Sequence, residues 1–202
     1  MNIPERIKEF LTEKKQNSNS PCDQCNSDCC KGPGFAIFEN IKIIYEKYER
    51  GELIRSDYNF QPGLSLSQFI FKYFDRASLN GGLLIFFPKV LTEDDQLLSV
   101  PPWNYWQARD YLFKRYKTYG CIFLDKRKID GDYSINKCIL HNNRVEEEIT
   151  EKPIDCLFLH CNGIRNIVNP RQVESNLWFS LLDYHFPNSV NIFNQQFPEL
   201  RE

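Results

Sequence analysis

The sequence lacks an excess of charge of one sign and any long apolar run. Its 25 basic residues against 27 acidic ones give a formal net charge of -2. This balance excludes a dominant polybasic surface for nucleic acid or anionic lipid, although not a local basic patch. The longest apolar runs, such as those at 83–87 and 156–159, fall far short of the roughly 18 residues that a membrane span needs. We therefore expect a soluble protein that uses neither nucleic acid nor a membrane as its partner.

The N-terminal segment also lacks the features of a secretory signal. Residues 1–15 place Ile3, Ile7, Phe10 and Leu11 on one face of a helix, with charged residues opposite. They contain no continuous apolar stretch and no small-residue cleavage site. This pattern predicts an amphipathic helix and a cytoplasmic protein, whose cysteines stay as thiols or thiolates because that compartment is reducing.

Length and composition predict a single folded domain. The 202 residues include 42 % hydrophobic and 14 % aromatic residues, enough to build a core and to exclude global disorder. We expect one domain over residues 1–202, with an N-terminal helix and linker at 1–20 and a C-terminal helical segment at 165–202. The predicted fold class is α+β, with helices around a few short strands and a cysteine-rich loop near the N-terminus.

Several elements are predicted from periodicity. Ile41, Ile44, Tyr45 and Tyr48 share a helical face, and Gly51 closes that helix. Residues 66–74 fit either an aromatic-rich helix or a strand, and residues 83–87 fit a buried strand. Further expected elements are a helix over residues 105–119 with Gly120 as its C-cap, strands at 121–124, 137–140 and 156–159, a helix near 173–184, and a short apolar segment at 190–197.

What the sequence has in quantity is cysteine, with eight cysteines beside one methionine and three histidines. Thiols this numerous usually bind metal or form disulfides. Four of them, Cys22, Cys25, Cys29 and Cys30, fall within nine residues. A C-x2-C pair suits one metal ion because a tight turn lets both sulfurs converge while backbone N–H groups hydrogen-bond the thiolates. The polar neighbours of these cysteines make a poor core segment, so we predict metal ligation by this cluster.

Cys29 and Cys30 are adjacent, which limits how both can bind. Neighbouring side chains in extended backbone point to opposite faces. One of the two is therefore expected to join Cys22 and Cys25, while the other turns to a second ion or to the protein interior.

The other cysteines, Cys121, Cys138, Cys156 and Cys161, lie far along the chain at or beside apolar segments. They could complete the metal coordination, or they could simply fill the core as buried thiols often do. Eight thiols permit two four-sulfur sites, or one iron–sulfur cluster with spare cysteines, because tetrahedral thiolate coordination suits both zinc and iron. Spacing alone does not choose between these metals.

Other polar residues near the cysteines have two interpretations. His141 and His160 could act as secondary ligands, but eight thiols already suffice for two tetrahedral sites, so we favour a structural role for both. Asp125 and Asp155 could act as an acid or base beside a metal-bound substrate, or could hydrogen-bond the backbone of a turn.

Four sequence elements in order resemble the YkgJ-like, or CxxCxxCC, family of zinc- or iron-chelating cysteine-cluster proteins. They are the Cys22 to Cys30 cluster followed by Gly32-Pro33-Gly34, the segment Gly120-Cys121-Ile122-Phe123-Leu124-Asp125, the segment Lys137-Cys138-Ile139-Leu140, and the element Lys152-Pro153-Ile154-Asp155-Cys156. The resemblance implies that Cys121, Cys138 and Cys156 are ligands or near-ligands, and it implies nothing about Cys161. Lys152 and Leu157 stand where the family often has arginine.

The expected function is therefore a metal-binding protein that holds an iron–sulfur cluster, such as 4Fe–4S, or zinc through cysteine thiolates. A redox role with an unidentified protein partner would follow if the metal is iron. One alternative is a structural or interaction module stabilised by zinc in closed four-cysteine sites. Another is a protein-modifying enzyme, such as a lysine N-methylase-like protein or an oxidoreductase component. The sequence leaves open whether the protein is an enzyme.

Overall fold

The structure is a computed structural model that describes residues 36–79, 82–99, 114, 118–129, 133–140 and 186–201. The predicted N-terminal helix, the cluster at 22–30, the segment at 156–159 and the helix near 173–184 lie outside the described residues. So do Cys156 and Cys161.

The described elements alternate between helices and short antiparallel strands. In chain order they are α1 (Phe38–Glu49), α2 (Leu66–Tyr73), β1 (Phe74–Leu79), β2 (Leu83–Pro88), β3 (Val90–Leu91), β4 (Leu97–Leu98), β5 (Leu124–Ile129), β6 (Tyr133–Cys138), α3 (Ser189–Gln196) and a 3-10 turn (Pro198–Leu200). The strands pair as three two-stranded antiparallel sheets, β1 with β2, β3 with β4, and β5 with β6. This mixture agrees with the predicted α+β class.

Helix α1 forms where the apolar periodicity predicted it. Ile41 and Ile44 are fully buried on its inner face, and Tyr48 is nearly so. At its start the side chain of Asn40 accepts a hydrogen bond from the Ile37 N–H at 3.1 Å, which satisfies a backbone donor that the helix leaves open. The helix ends before Gly51, whose φ of +70° is a conformation that glycine adopts without steric cost.

Residues 66–74, for which helix and strand were both open, form helix α2 and then enter strand β1. Ser65 starts the helix with a capping box: its Oγ accepts from the Gln68 N–H at 3.3 Å, and its own N–H donates to Gln68 Oε1 at 2.9 Å. Phe69, Ile70 and Tyr73 are buried, whereas Phe71 on the other face is 70 % exposed. The cap and this single apolar face therefore favour the helix.

Strands β1 and β2 form a hairpin that lies at the centre of the core. The register runs from Phe74 opposite Pro88 to Leu79 opposite Leu83. Every residue of β2 is buried, which confirms the predicted buried strand at 83–87. Ala36 adds an isolated bridge to the far side of β2, exchanging two 2.8 Å hydrogen bonds with Phe86.

The predicted strand at 121–124 is wrong. Cys121 makes only an isolated bridge to Val90, and Ile122 and Phe123 form a turn before β5 begins at Leu124. The Leu124 N–H donates to the Cys121 carbonyl at 2.9 Å, which closes this turn. Ile122 and Phe123 are fully buried, and a buried turn gives the same apolar run as a buried strand.

Of two neighbouring predictions, the strand needs a smaller correction and the position of Gly120 agrees with its expected place. The strand predicted at 137–140 extends instead over Tyr133–Cys138, and residues 139–140 form a turn. Gly120 has a φ of +83° after the helical residues Thr118 and Tyr119, as expected of a residue that follows a helix C-terminus.

The main core is rich in aromatic rings and draws on distant parts of the chain. Helix α3 covers all but the last residue of the predicted apolar segment at 190–197. It places Phe193 against the rings of Phe38 and Phe86, with centroids 5.5 Å and 5.4 Å away. Ser189 at its first turn accepts a hydrogen bond from the Leu84 N–H at 2.7 Å, which ties α3 to β2. Among the described residues, no helix combines the length and apolar content of a membrane-spanning segment.

Candidate metal-binding site

Cys121 lies directly before the buried turn at Ile122 and Phe123. We call residues 120–125, which include the first two residues of β5, the Cys121 turn. Hydrogen bonds to the segment at β3 hold this turn on one side. The Ile122 N–H donates to the Lys89 carbonyl at 2.8 Å, and the Leu91 N–H donates to the Gly120 carbonyl at 3.3 Å. The backbone around Cys121 is therefore fixed by strand-like contacts although the turn itself is not a strand.

The Cys121 sulfur accepts a hydrogen bond from the backbone N–H of Phe123 at 3.3 Å. Backbone N–H groups directed at sulfur are the outer-shell interactions that support metal-bound thiolates and tune their properties. The local structure around Cys121 is thus compatible with a thiolate ligand.

Cys138 lies at the same end of the β5–β6 hairpin as the Cys121 turn. It ends β6 opposite Leu124, the first residue of β5, and the Ile139 N–H that follows it donates to the Phe123 carbonyl at 2.9 Å. Both cysteines are half-buried, and neither forms a disulfide with another described residue. Of the predicted ligands, the structure places these two at one end of one hairpin.

These two thiols fit zinc or iron in the chemistry of their donor atoms, because tetrahedral thiolate sites suit both. A four-sulfur site needs two further donors. Within the described ranges, no group of three or more His, Cys, Asp or Glu side chains could hold a metal. The further sulfurs would have to come from Cys22, Cys25, Cys29, Cys30, Cys156 or Cys161, which lie outside those ranges.

Asp125 takes a structural position in the Cys121 turn. Its side chain is fully buried, and its Oδ1 accepts hydrogen bonds from the backbone N–H of Ser56 at 3.1 Å and from Ser56 Oγ at 2.5 Å. Of the two interpretations left open for this residue, the geometry supports backbone hydrogen bonding. Asp155 lies outside the described residues.

Arg55 is the polar contact that sequence reasoning missed. Its guanidinium is buried, and its Nη1 donates to the Ile122 carbonyl at 2.7 Å. Nε and Nη2 bind the two carboxylate oxygens of Asp57 at 2.6 Å and 2.8 Å. Nothing in the sequence around Arg55 distinguishes it from a surface arginine, because its partner Ile122 comes from a segment 67 residues later.

A cleft of about 800 Å³ lies between α1 and the loop that follows it, and Arg55 is one of its lining residues. Its other walls include Tyr45, Tyr48, Tyr58 and Phe60. Burial raises the pKa of Tyr45 and of Tyr58 above the usual value. Phe60 also stacks on Phe123 of the Cys121 turn, with ring centroids 6.0 Å apart, so the cleft and the turn share one packed wall.

Comparison with models of protein families, with curated proteins and with solved structures finds no match to this chain. The resemblance to the YkgJ-like family therefore depends on the sequence elements quoted above alone.

Proposed function

We propose that this chain is a cytoplasmic metal-binding protein that holds an iron–sulfur cluster or zinc through cysteine thiolates. The observation that carries the proposal is the set of four cysteines within nine residues, Cys22, Cys25, Cys29 and Cys30. Polar neighbours surround these thiols, so hydrophobic burial does not account for them, whereas a shared metal ion does.

The described cysteines support the same proposal. Cys121 and Cys138 lie at one end of the β5–β6 hairpin, and the Cys121 sulfur already accepts a backbone hydrogen bond. Two half-buried thiols at one end of a hairpin are suitable partners for sulfurs from another segment of the chain. In this proposal, the cluster at 22–30 and the hairpin share the metal.

The identity of the metal decides the role of the site. An iron–sulfur cluster supplies one-electron redox chemistry and implies a redox partner protein. Zinc in a closed four-sulfur site supplies folding free energy instead, which makes the protein a structural or interaction module.

Elemental analysis of iron and zinc per chain, on protein purified without oxygen, tests the proposal. Oxygen must be excluded because it can destroy a cluster and let zinc replace the iron. About four irons per chain would support a 4Fe–4S cluster, and one or two zincs without iron would support closed zinc sites. The absence of both metals would overturn the proposal.

A further inference from the structure

The peptide group between Ile122 and Phe123 connects a buried arginine to the Cys121 sulfur. Its carbonyl oxygen accepts from Arg55 Nη1 at 2.7 Å. Its N–H donates to Cys121 Sγ at 3.3 Å. In a trans peptide the C=O and N–H are fixed in one plane and point in opposite directions. The hydrogen bond from Arg55 therefore fixes the direction in which the N–H points.

The same contact strengthens the N–H as a donor. Hydrogen bonds in a chain polarise one another, and the effect is larger where the local dielectric constant is low. Arg55 is 7 % exposed and Ile122 is fully buried, so the hydrogen bond between them is shielded from water, while the Cys121 end is half-buried. The positive charge of the guanidinium adds to the polarisation of the carbonyl.

Asp57 anchors the arginine in this orientation. Two parallel hydrogen bonds, at 2.6 Å and 2.8 Å, hold the guanidinium plane against the Asp57 carboxylate. Such a two-point contact fixes the plane of the guanidinium as well as its position. The two hydrogen bonds to Asp57 therefore orient Nη1 of Arg55 toward the Ile122 carbonyl.

We propose that Arg55 is a positioning residue for the Cys121 thiolate, acting through the Ile122–Phe123 peptide group. This inference rests on the proposed function, since it assigns Arg55 a role in holding the metal. When Cys121 ligates the metal, the oriented N–H stabilises the negative charge on its sulfur and slows loss of the metal.

The chain contains a matched control for this contact. Arg50 and Glu52 have the same spacing as Arg55 and Asp57 and form the same two-point contact, at 2.6 Å and 3.1 Å. That pair is about half exposed and joins two residues that follow the end of α1. Arg50→Gln thus removes an equivalent ion pair without removing the hydrogen bond to Ile122.

The test compares the metal-loaded wild type with Arg55→Gln and Arg50→Gln. Two quantities are measured: the rate at which a chelator removes iron or zinc, and the thiolate-to-metal charge-transfer absorption of the iron form or of a cobalt-substituted zinc form. We expect Arg55→Gln to lose metal about tenfold faster and to shift the absorption, while Arg50→Gln matches the wild type. Ile44→Val changes a buried residue of α1 and should also lose stability, but it is expected to keep the wild-type absorption.

A second pair of variants covers the case in which Arg55→Gln does not fold. Asp57→Asn weakens the anchor of the guanidinium, and Glu52→Gln is its exposed counterpart. We expect Asp57→Asn to lose metal faster than the wild type, and Glu52→Gln to match the wild type.

The outcomes separate the two proposals. A wild type that holds metal, together with equal loss rates and spectra in each matched pair, would overturn the role of Arg55 and leave the proposed function standing. A wild type that holds neither iron nor zinc would overturn the proposed function, and the role of Arg55 with it.

Discussion

Asp125 illustrates how a single buried polar residue joins the Cys121 turn to a distant segment of the chain. A carboxylate with no exposed surface is costly to bury unless hydrogen bonds compensate for its lost hydration. Two hydrogen bonds from Ser56 meet that need, and they also join the loop after α1 to a turn that lies 69 residues later in the chain. The packing of these two segments against each other therefore helps to offset the cost of burying the carboxylate.

Replacing Asp125 by alanine is expected to destabilise the protein by about 1 to 3 kcal/mol, because the hydrogen bonds that the Ser56 N–H and hydroxyl donate to a charged acceptor are lost. Urea unfolding followed by circular dichroism measures this change. Glu46→Ala, which removes an exposed carboxylate from α1, is the control and should stay within about 0.5 kcal/mol of the wild type. A loss in Asp125→Ala no larger than in the control would contradict the role assigned to this carboxylate.

The burial of two tyrosines predicts that the free energy of unfolding decreases at alkaline pH. Burial raises the pKa of Tyr73 and of Tyr58 above the usual value. Below pH about 10 both the folded and the unfolded chain keep these protons, so this contribution to stability is fully present. Above pH 10 the unfolded chain binds fewer protons than the folded chain, and stability falls as pH rises.

Lys89 has the opposite effect on the pH dependence of stability. Burial lowers its pKa. Between that lowered value and about 10.4 the unfolded chain therefore binds more protons than the folded one, and this contribution to stability rises with pH. We expect Tyr73→Phe to be less stable at pH 8, since the Gln61 N–H loses its 2.8 Å acceptor, but to lose less stability between pH 10 and 11. Lys89→Met should steepen the net decline with pH. Urea midpoints at intervals from pH 8 to 11 measure these slopes, and parallel curves for Tyr73→Phe and the wild type would refute the assignment.

At the scale of elements, the sequence predicted those whose pattern is local. Helix α1 has a regular apolar face, and β2 is a continuous apolar run, so both were identified. Strand β1 was not, because its sequence FDRASL has no alternation of apolar and polar residues and its pairing with β2 supplies the structure. The signal that could have found it is Asn80-Gly81-Gly82, which is typical of a hairpin turn.

Helix α3 depends on tertiary packing to a greater degree than on its own sequence. It has 8 residues, its N-cap Asn188 makes no side-chain capping hydrogen bond, and isolated helices of this length are marginal in water. Phe193 supplies the missing stability through its contacts with Phe38, Phe86 and Phe197. The guanidinium of Arg76 also lies 5.7 Å from its ring.

Phe193→Ala is therefore expected to cost about 3 to 5 kcal/mol, the range typical of emptying an aromatic core position. The neighbouring residue offers a matched control, because Ile192 is 47 % exposed and its replacement by alanine should change stability by no more than about 0.5 kcal/mol. Thermal or urea unfolding of both variants checks the contrast. Similar losses in the two would show that α3 is not held by the Phe193 contact.

At the scale of the whole molecule, the candidate site depends on contacts that no local pattern encodes. The sequence identified Cys121 and Cys138 as candidate ligands, and the hairpin register explains how two cysteines 17 positions apart reach the same end of one element. It did not identify Arg55, whose hydrogen bond to Ile122 exists only once the loop after α1 packs on the Cys121 turn. Residue chemistry is readable from the sequence, whereas the pairing of distant segments depends on the complete fold.

In the proposed metal site, the same cysteines determine both the metal content and the stability of the protein. In a domain whose metal joins distant segments, loss of a ligand is also loss of folding free energy.

We expect Cys22→Ser and Cys25→Ser each to lose bound iron or zinc and to unfold at lower temperature, by about 2 to 4 °C for each kcal/mol lost in a chain of this size. Cys161→Ser is the comparison variant, because neither the N-terminal cluster nor the resemblance includes it, and a milder effect is expected. Metal analysis and thermal unfolding are measured on the same samples. Unchanged metal in both cluster variants would exclude these cysteines as ligands, and an equal loss in Cys161→Ser would show that this thiol binds metal as strongly as they do.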